Sequence, residues 1–471
     1  MPTSLPLDVD PDTFRTMVGE TGDFLAAFLR RVPDMPAWKQ EGGTDILADP
    51  ALRKAPSEDG RPLAELLRAL ERGLDLGSNT ASGRFFTAIP NGGLPTVAIA
   101  ELISNTVNKF SGKMAGGPSL VAIENDIIAW LIQAMGMPSD SNGILTSGGS
   151  MATLSALACA RDAAAPGDLR QGVIYTTDQA HFAIAKAARL VGFPREAVRT
   201  VATDAAGRMD PARLIDTIRA DRGNGLKPFC LVASAGTTNT GVVDPLPALA
   251  EIAERERLWL HIDAAYGGFF RLTARGSDKL QGIERGDSLV LDPHKGLFLP
   301  FGTGCLLMRD AAALHRTHAA DEAAFFRDMK KGEADFADLS PELTRPARGL
   351  RLWLPLHLHG VGAFRRELDE KLDLARTAWK RLSDIPGISV QAPPALSIVT
   401  FRASGWPGSD DDRATETLVR EVCADGRLRF STTLVDGKVA GRLAILSHRT
   451  SAAEVDELLH RIREVAASHL S

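Results

Sequence analysis

The sequence is poor in cysteine and tyrosine and has no long apolar run. Its four cysteines, Cys159, Cys230, Cys305 and Cys423, are scattered without Cys-x-x-Cys spacing, which indicates neither a disulfide framework nor a zinc site. No stretch of about twenty apolar residues occurs, and the first residues lack a basic segment followed by an apolar one. We therefore expect a cytoplasmic protein without a membrane span, in which the cysteines are small core residues.

The sequence also lacks an excess of positive charge. It has 54 Lys and Arg residues against 59 Asp and Glu residues, a net charge of -5 and a pI near 6.1. This balance provides no basic surface for nucleic acid or an anionic membrane, and we expect neither as a partner. With 471 residues, of which 44% are hydrophobic, the chain can bury a large core divided among two or three domains.

Hydrophobic periodicity predicts three regions along the chain. Residues 1–81 are expected to form a helical arm with helices at 12–31 and 62–71. Residues 82–345 alternate between short apolar strands and helices, which is typical of an α/β domain with a mostly parallel sheet covered by helices. Residues 346–471 combine helices with short alternating strands and are expected to form a smaller α+β domain.

Three segments of the central region carry side chains of complementary chemistry. Lys295 follows a short apolar run, and Asp263 ends an apolar strand whose small following residues would let a flat ring approach the backbone. Gly148, Gly149 and Ser150 open a helical pattern, and the free N–H groups of a helix start favour an anion such as phosphate. An amine, an acid and a phosphate cradle are what the aldehyde, ring nitrogen and phosphate of pyridoxal 5'-phosphate require.

Five sequence motifs occur in the order found in one enzyme family. They are TSGGSMATL from Thr146, DQAHFAIAKAA from Asp178, SAGTTNTGVVDP from Ser234, HIDAAYGG from His261 and DPHK from Asp292. With these motifs the sequence resembles the group II pyridoxal-dependent amino-acid decarboxylases, strongly over residues 85–360 and more weakly over 442–458. The resemblance implies fold type I with a seven-stranded sheet, pyridoxal 5'-phosphate as cofactor, decarboxylation of an amino acid, and a homodimer whose active site lies at the subunit interface.

The resemblance also implies a role for each residue that matches a motif. Lys295 would bind the cofactor covalently and shuttle protons, Asp263 would pair with the ring nitrogen, and His181 would stack on the ring. The further cofactor contacts would be Gly149 and Ser150 at the phosphate with His294 and Asp292 beside them, and Thr238 and Ala265. Each role has an ordinary alternative, such as an ion pair for Asp263, packing for His181 and the small residues, and a turn for Thr238.

One position departs from the family in a way that affects the product. Enzymes of the aromatic-amino-acid type carry a loop tyrosine that protonates the substrate after carbon dioxide leaves, whereas both tyrosines here, Tyr175 and Tyr266, lie outside the corresponding loop, 315–338. Counting back without gaps from Arg348 brings Phe336 to that place, and phenylalanine cannot donate a proton. In relatives with this replacement the products are an aldehyde, ammonia and hydrogen peroxide.

Three outcomes therefore stay open from the sequence. The first is an amine-forming decarboxylase in which another acid, such as His318, or water supplies the proton. The second is the aldehyde-forming reaction, with Phe336 over the reacting face. The third is a protein that reacts differently, either a non-decarboxylating lyase or a dinucleotide binder built on the glycine-rich turn, but that turn lacks the G-x-G-x-x-G pattern and the reading leaves Lys295 and Asp263 unexplained.

The substrate side of the expected site is less sharply defined. Phe85, Phe86 and Pro90 of one subunit, and residues 110–114 of the other, are the candidates for the pocket. Two adjacent phenylalanines favour an apolar or aromatic amino acid over an acidic one, although they can equally be core residues. Arg84 is the one arginine that stands out as a clamp for a side-chain carboxylate. The residue after the lysine is glycine, where many relatives carry tryptophan.

Overall fold

The structure, a computed structural model, describes residues 7–39, 50–53, 55–56, 58–164, 167–319 and 335–470. Residues 320–334, which make up most of the 315–338 loop and include Lys330 and Lys331, lie outside the described residues. None of the helices within the described ranges is long and apolar enough to cross a membrane.

The N-terminal region consists of helices joined by a two-stranded antiparallel ladder. Its elements are α1 (Pro11–Arg31), β1 (Trp38–Lys39), α2 (Pro50–Arg53), α3 (Leu63–Leu74) and β2 (Gly77–Ser78). Asp10 caps α1, because its carboxylate accepts hydrogen bonds from the N–H groups of Asp12 and Thr13 at 3.0 Å each. None of the residues of α1 is buried, so its apolar side chains remain partly exposed.

A seven-stranded sheet forms the centre of the molecule. Its strands are β3 (Asn142–Thr146), β4 (Gly172–Thr176), β5 (Val198–Thr200), β6 (Lys227–Ser234), β7 (Trp259–Asp263), β8 (Ser288–Leu291) and β9 (Gly304–Met308). They lie in the order β3-β9-β8-β7-β6-β4-β5, and β9 is antiparallel to both of its neighbours while the other pairs are parallel. The expected α/β fold with a mostly parallel sheet is confirmed.

Helices connect these strands. They are α4 (Thr96–Val107), α5 (Pro118–Met135), α6 (Gly149–Ala164), α7 (Ala183–Leu190), α8 (Pro211–Gly223), α9 (Leu246–Glu256), α10 (Ala274–Lys279), α11 (Pro293–Gly296) and α12 (Ala313–His318). Short 3-10 helices occur at Arg195–Ala197, Gly268–Leu272, Ile283–Arg285 and Phe336–Asp338. The strands β4, β8 and β9 are buried along their whole length, as expected for a sheet with helices packed against it.

The carboxyl ends of the parallel strands meet at one edge of the sheet. The register pairs Ser234 with Asp263, and Asp263 with Val290, at the ends of β6, β7 and β8. Because β3 and β8 are both antiparallel to β9, β3 runs parallel to β8 and its last residue, Thr146, reaches the same edge. The turns that follow β3, β7 and β8 are therefore neighbours, which is where open α/β sheets bind ligands.

The C-terminal region contains a second, smaller sheet with its own core. Its elements are α13 (Arg348–His359), α14 (Val361–Ser383), β10 (Ile388–Val390), β11 (Ile398–Ala403), α15 (Asp411–Val422), β12 (Ser431–Val435), β13 (Lys438–Ala444) and α16 (Ala452–Leu470). The four strands are antiparallel in the order β10-β11-β13-β12. The ring of Phe86, from far upstream in the chain, is fully buried in this core.

Candidate active site

A cavity of about 320 Å³ opens at the carboxyl edge of the large sheet. Of the residues expected in the site, those that line it are Gly149, Ser150, His181, Thr238, Asp263, Ala265, Asp292, His294 and Lys295. Phe336, expected over the reacting face, does not line it. The structure therefore brings together residues that lie far apart in the sequence, from Gly149 to Lys295.

Lys295 forms an ion pair with a buried carboxylate. Its Nζ lies 2.8 Å from Oδ2 of Asp292, a residue that is only 2% exposed. A Cβ atom on Gly149 would lie 2.9 Å from the same oxygen, so only glycine leaves room for the Asp292 carboxylate at the start of α6. The other oxygen of Asp292, Oδ1, is buried and has no hydrogen-bond partner among the described residues. Such an acceptor is costly to bury unless a ligand or water satisfies it.

His294 stands beside this pair as a neutral ring. Its Nδ1 accepts a hydrogen bond from the N–H of Thr303 at 3.1 Å, so the proton of a neutral ring lies on Nε2. Burial lowers the pKa of His294, which is opposed by the charge of Asp292. Nε2, which carries this proton, lies 3.5 Å from Oδ2 of Asp292.

Asp263 presents its carboxylate from the end of β7. One of its oxygens accepts a hydrogen bond from the N–H of Ala265 at 3.1 Å, which fixes the side chain against the turn that follows the strand. Both residues belong to the cavity wall. An acid held in this way can accept a hydrogen bond from a protonated ring nitrogen, which is the role expected from the sequence.

His181 occupies the wall as a second neutral imidazole. Its Nδ1 accepts a hydrogen bond from the N–H of Ala183 at 3.2 Å, which leaves the ring proton on Nε2. Burial is the largest influence on the pKa of His181 and lowers it, while Asp263 opposes this shift and Lys295 adds to it. A neutral ring of this kind can pack flat on an aromatic cofactor without placing a positive charge against it.

The residues present fit pyridoxal 5'-phosphate. The first N–H groups of α6 have no partner within the helix, and they open into the cavity at Gly149 and Ser150, where a phosphate can accept them. Lys295 supplies an amine for the aldehyde, and Asp263 supplies an acid for the ring nitrogen. The Oδ1 of Asp292 is a buried polar atom without a partner among the described residues, which a bound group could satisfy.

Phe336 lies outside this cavity. It is 1% exposed, in the 3-10 helix Phe336–Asp338, with the guanidinium carbon of Arg345 4.8 Å from the centre of its ring. Its neighbour Asp335 accepts a hydrogen bond from the N–H of Met114 at 2.9 Å and pairs with Lys113 at 3.2 Å. Phe336 therefore does not face the Lys295 cavity of its own chain, and its role in the reaction stays a prediction.

His318, considered as an alternative acid, is not in the cavity wall either. Burial lowers its pKa, and the charge that opposes this shift belongs to Asp162, near the end of α6 that is remote from Gly149. A proton donor at His318 is therefore not supported by its position.

Several residues that were expected to line the substrate pocket make core or surface contacts instead. Pro90 lines the cavity together with Ile89. Phe85 and Phe86 are buried but do not line it, so the structure favours the core role for these two phenylalanines over the pocket role. Arg84 pairs with Glu457 at 2.8 Å and does not line the cavity, so it is not available as a carboxylate clamp.

The glycine after the lysine, Gly296, has a local explanation. A Cβ atom there would lie 2.6 Å from the side chain of Phe269, which is fully buried. The space next to the lysine turn is therefore filled by Phe269, and a tryptophan would not fit.

Sequence reasoning missed two residues that organise the wall. Tyr266 lines the cavity, and its hydroxyl lies 2.9 Å from the hydroxyl of Ser397 in the C-terminal region. Burial raises the pKa of Tyr266 to about 12, so it is a structural hydroxyl and not a ready acid. Its place in HIDAAYGG could have suggested it. Arg442 binds carbonyls of the wall from β13, and no local pattern marks it.

Comparison with known proteins agrees with this geometry. A family model described as the pyridoxal-dependent decarboxylase conserved domain matches residues 48–404. The chain is 35% identical to an aromatic-L-amino-acid decarboxylase of Bacillus atrophaeus, over 90% of this chain and 89% of that protein. It is 32% identical to an L-2,4-diaminobutyrate decarboxylase of Rhizobium meliloti, over 90% of this chain and 83% of that protein.

Two further proteins bear on product and fold. A phenylacetaldehyde synthase of Petunia hybrida is 27% identical over 98% of this chain and 96% of its own. The crystal structure of Oryza sativa TDC with PLP and tryptamine superimposes with a TM-score of 0.92 at 25% identity, over 100% of both chains. The family model matches most of the chain, and the chain shares its fold with a solved structure that holds the cofactor. This chain therefore belongs to the pyridoxal-dependent decarboxylase family and is a carboxy-lyase that uses pyridoxal 5'-phosphate.

Proposed function

We propose that this enzyme decarboxylates an aromatic or other apolar L-amino acid to the corresponding amine and carbon dioxide. The observation that carries the choice of substrate is the charge of the cavity wall. Among the described residues, Lys295 is the only lysine that lines the cavity, and no arginine does. A side-chain carboxylate would therefore have no cation of its own to pair with, and burying it unpaired is costly. The aromatic-L-amino-acid decarboxylase relative supports the same class.

The roles of the wall residues follow from their positions. When bound, pyridoxal 5'-phosphate supplies an electron sink for the bond that breaks at the α carbon. Lys295 Nζ would hold the cofactor, give way to the amine of the substrate, and carry protons to and from the α carbon. Asp263 would keep the ring nitrogen protonated, and His181 would pack on the ring with Nε2–H free to donate to the substrate carboxylate.

The phosphate side of the site would use backbone and hydroxyl donors. The N–H groups of Gly149 and Ser150 and the Ser150 hydroxyl would bind phosphate oxygens, with His294 Nε2–H as a further donor. Asp292 would contact the same group through a shared proton or a water, since a bare carboxylate repels an anion. Thr238 and Ala265 would border the ring on either side of Asp263.

A second candidate function is the aldehyde-forming reaction. Counting back from Arg348 places Phe336 at the position of the proton-donating loop tyrosine, and the similarity to a phenylacetaldehyde synthase supports this candidate. The amino acid, dioxygen and water would then give an aldehyde, carbon dioxide, ammonia and hydrogen peroxide. The two candidates differ in oxygen consumption, which makes them separable in one assay.

The protein is also proposed to act as a homodimer. Helices α1, α3 and α4 expose apolar side chains, and a largely apolar cavity of about 510 Å³ lies between α1 and the residues around Ile99 and Phe301. Apolar side chains exposed in this way often mark a subunit interface. The cytoplasmic location expected from the first residues stays a prediction.

The test is a screen of amino acids with the cofactor-loaded enzyme. Carbon dioxide, amine, oxygen uptake and hydrogen peroxide are measured together for aromatic, aliphatic, acidic and diamino acids. We expect carbon dioxide and amine in equal amounts from an aromatic amino acid. Faster turnover of glutamate or of 2,4-diaminobutyrate than of every aromatic amino acid would reject the proposed substrate class, and peroxide equal to carbon dioxide would favour the second candidate.

A further inference from the structure

Arg442 of β13 is a buried arginine whose hydrogen bonds to the described residues all go to backbone carbonyls. It is 8% exposed, and its Nε, Nη1 and Nη2 donate to the carbonyls of Asn239, Thr87 and Thr238 at 2.9, 2.7 and 2.8 Å. No carboxylate within the described part of the chain lies within salt-bridge distance of it. Burial lowers its pKa, although a guanidinium stays charged at any pH the protein meets. A cation buried without an anion is costly, so three carbonyls must satisfy it.

The three carbonyls belong to two chain segments that contribute residues to the active-site cavity. Thr238 lines the cavity from the turn after β6, and Asn239 follows it. Thr87 lies shortly before Ile89 and Pro90, which also line the cavity. One planar guanidinium therefore ties the two segments together at a fixed spacing, because its donors are held in a rigid fork.

The wall that contains Pro90 is carried by the small C-terminal sheet. The N–H of Phe86 donates to the carbonyl of Arg429 at 2.7 Å, and the N–H of Ala444 donates to the carbonyl of Phe86 at 2.9 Å. The Nη1 of Arg449 donates to the carbonyl of Gly92 at 3.1 Å. The segment 86–92 is thus bound to β13 at Phe86 and to the residues after β13 at Gly92, while Thr238 lies in the turn that follows β6 of the large sheet. Arg442 spans the junction between these two segments.

We propose that Arg442 is a positioning residue that sets the width of the substrate side-chain pocket. Arg442 does not line the cavity, so it acts through the carbonyls of Thr87 and Thr238 and not by touching the substrate. The inference deepens the proposed function and rests on it for the class of ligand. If Arg442 acts in this way, a residue of the small sheet influences substrate selection at a cavity that lies at the edge of the large sheet.

The test compares Arg442→Lys with a matched control, Arg402→Lys. Lysine keeps the charge but is a compact donor that cannot hold three carbonyls in one plane. Arg402 lies on the adjacent strand β11, where it binds the carbonyl of Val439 at 2.5 Å and the carboxylate of Asp412 at 2.8 Å. Neither Val439 nor Asp412 lines the cavity. The control therefore replaces a guanidinium in the same sheet without affecting the segments of Thr87 and Thr238.

Binding is measured with cofactor-loaded enzyme from the change in cofactor absorbance. The ligands are the aromatic L-amino acid found in the screen, the amine derived from it, and L-alanine. We expect Arg442→Lys to raise the Kd of the aromatic amino acid and of its amine about equally, each by about tenfold, or roughly 1.4 kcal/mol. The Kd of alanine should change less, and Arg402→Lys should change none of them.

Two results would overturn the proposal. If the amino acid loses affinity while its amine does not, Arg442 acts on the substrate carboxylate and not on the wall. If neither the Kd of the amino acid nor that of its amine changes, the shape of the cavity wall does not depend on Arg442. Should Arg442→Lys not yield folded, cofactor-loaded enzyme, Arg442→Gln is measured in the same way, with the same outcomes. Failure of the proposed function is distinguishable, because it would appear in the wild type, as no binding of any aromatic amino acid.

Discussion

At the scale of single residues, Asp263 is the side chain whose charge matters most to the proposed chemistry. Asparagine has the same shape and can keep the hydrogen bond from the Ala265 N–H, but it cannot hold a proton on a ring nitrogen. We expect Asp263→Asn to fold normally and to lower kcat by at least about 100-fold, or roughly 2.7 kcal/mol. Steady-state kinetics with circular dichroism as the folding check measure this. Activity within about tenfold of wild type would reject the role.

Lys295 is expected to be the covalent attachment point of the cofactor. Lys295→Ala should abolish turnover and lose its cofactor during gel filtration, since the covalent tether and the proton carrier disappear together. After borohydride reduction, mass spectrometry should find the cofactor on the wild-type peptide that contains Lys295 and none on the variant protein. Lys186→Ala, on α7 and outside the cavity wall, is the control and should retain both properties. Full activity of Lys295→Ala would remove this lysine from the mechanism.

Single residues differ in how far sequence can predict them. Lys295 and Asp263 could be predicted because Asp263 ends the apolar strand β7 and Lys295 lies in the turn shortly after β8, and the carboxyl ends of parallel strands meet at one edge. Arg442 could not, because its partners are backbone carbonyls 203 to 355 residues away and no residue type marks them. An apolar residue such as Phe86 suits both the core and a substrate pocket. Its packing in the core of the small sheet, which only the structure shows, distinguishes the two roles.

At the scale of elements, the short helix Phe336–Asp338 bears on the choice of product. Asp335 fixes its start to Met114, and Arg345 lies over the Phe336 ring. Arg345 in turn pairs with Glu124 at 2.7 Å in the interior, so the helix is held against a buried ion pair. A hydroxyl added to Phe336 introduces a proton donor without changing the size of the ring.

The second candidate function predicts a product shift at this helix. Phe336→Tyr should lower oxygen uptake and peroxide relative to carbon dioxide and raise the yield of amine, because tyrosine can protonate the substrate carbon before dioxygen reacts. An oxygen electrode and chromatography of amine and aldehyde measure both products. Stoichiometric amine without oxygen uptake in the wild type, unchanged by Phe336→Tyr, would leave amine formation as the reaction.

At the scale of the whole molecule, alternation of strands and helices was enough to predict an α/β fold, since buried parallel strands are continuous apolar runs. The place of segment 86–92 was not predictable. It lies next to the large sheet in sequence, but its hydrogen bonds join it to β13 and to Arg429. Hydrophobic periodicity in the sequence indicates which residues are buried, but it does not indicate which of the two sheets they pack against. The division at residues 81 and 345 stays a prediction.

The apolar side chains exposed on the N-terminal helices predict the assembly of the protein. Leu70, Leu74, Ile99 and Ile103 are each 45% to 53% exposed on α3 and α4, and α1 buries none of its residues. Water-exposed apolar area of this kind costs free energy in an isolated chain, at roughly 25 cal/mol per Å², and a second copy would remove it from water.

Charges on this surface should therefore separate the subunits. Ile99→Asp combined with Ile103→Asp places two carboxylates one helical turn apart on α4, where a partner would bury them unpaired. We expect the wild type to be a dimer at micromolar concentration and this variant to be a monomer, by light scattering after gel filtration. Leu434→Asp, at an equally exposed apolar position on β12, should leave the dimer intact. If the active site lies at the interface, decarboxylation should fall with the dimer fraction. A fully active monomeric wild type would show that the cavity beside Lys295 is complete in one chain.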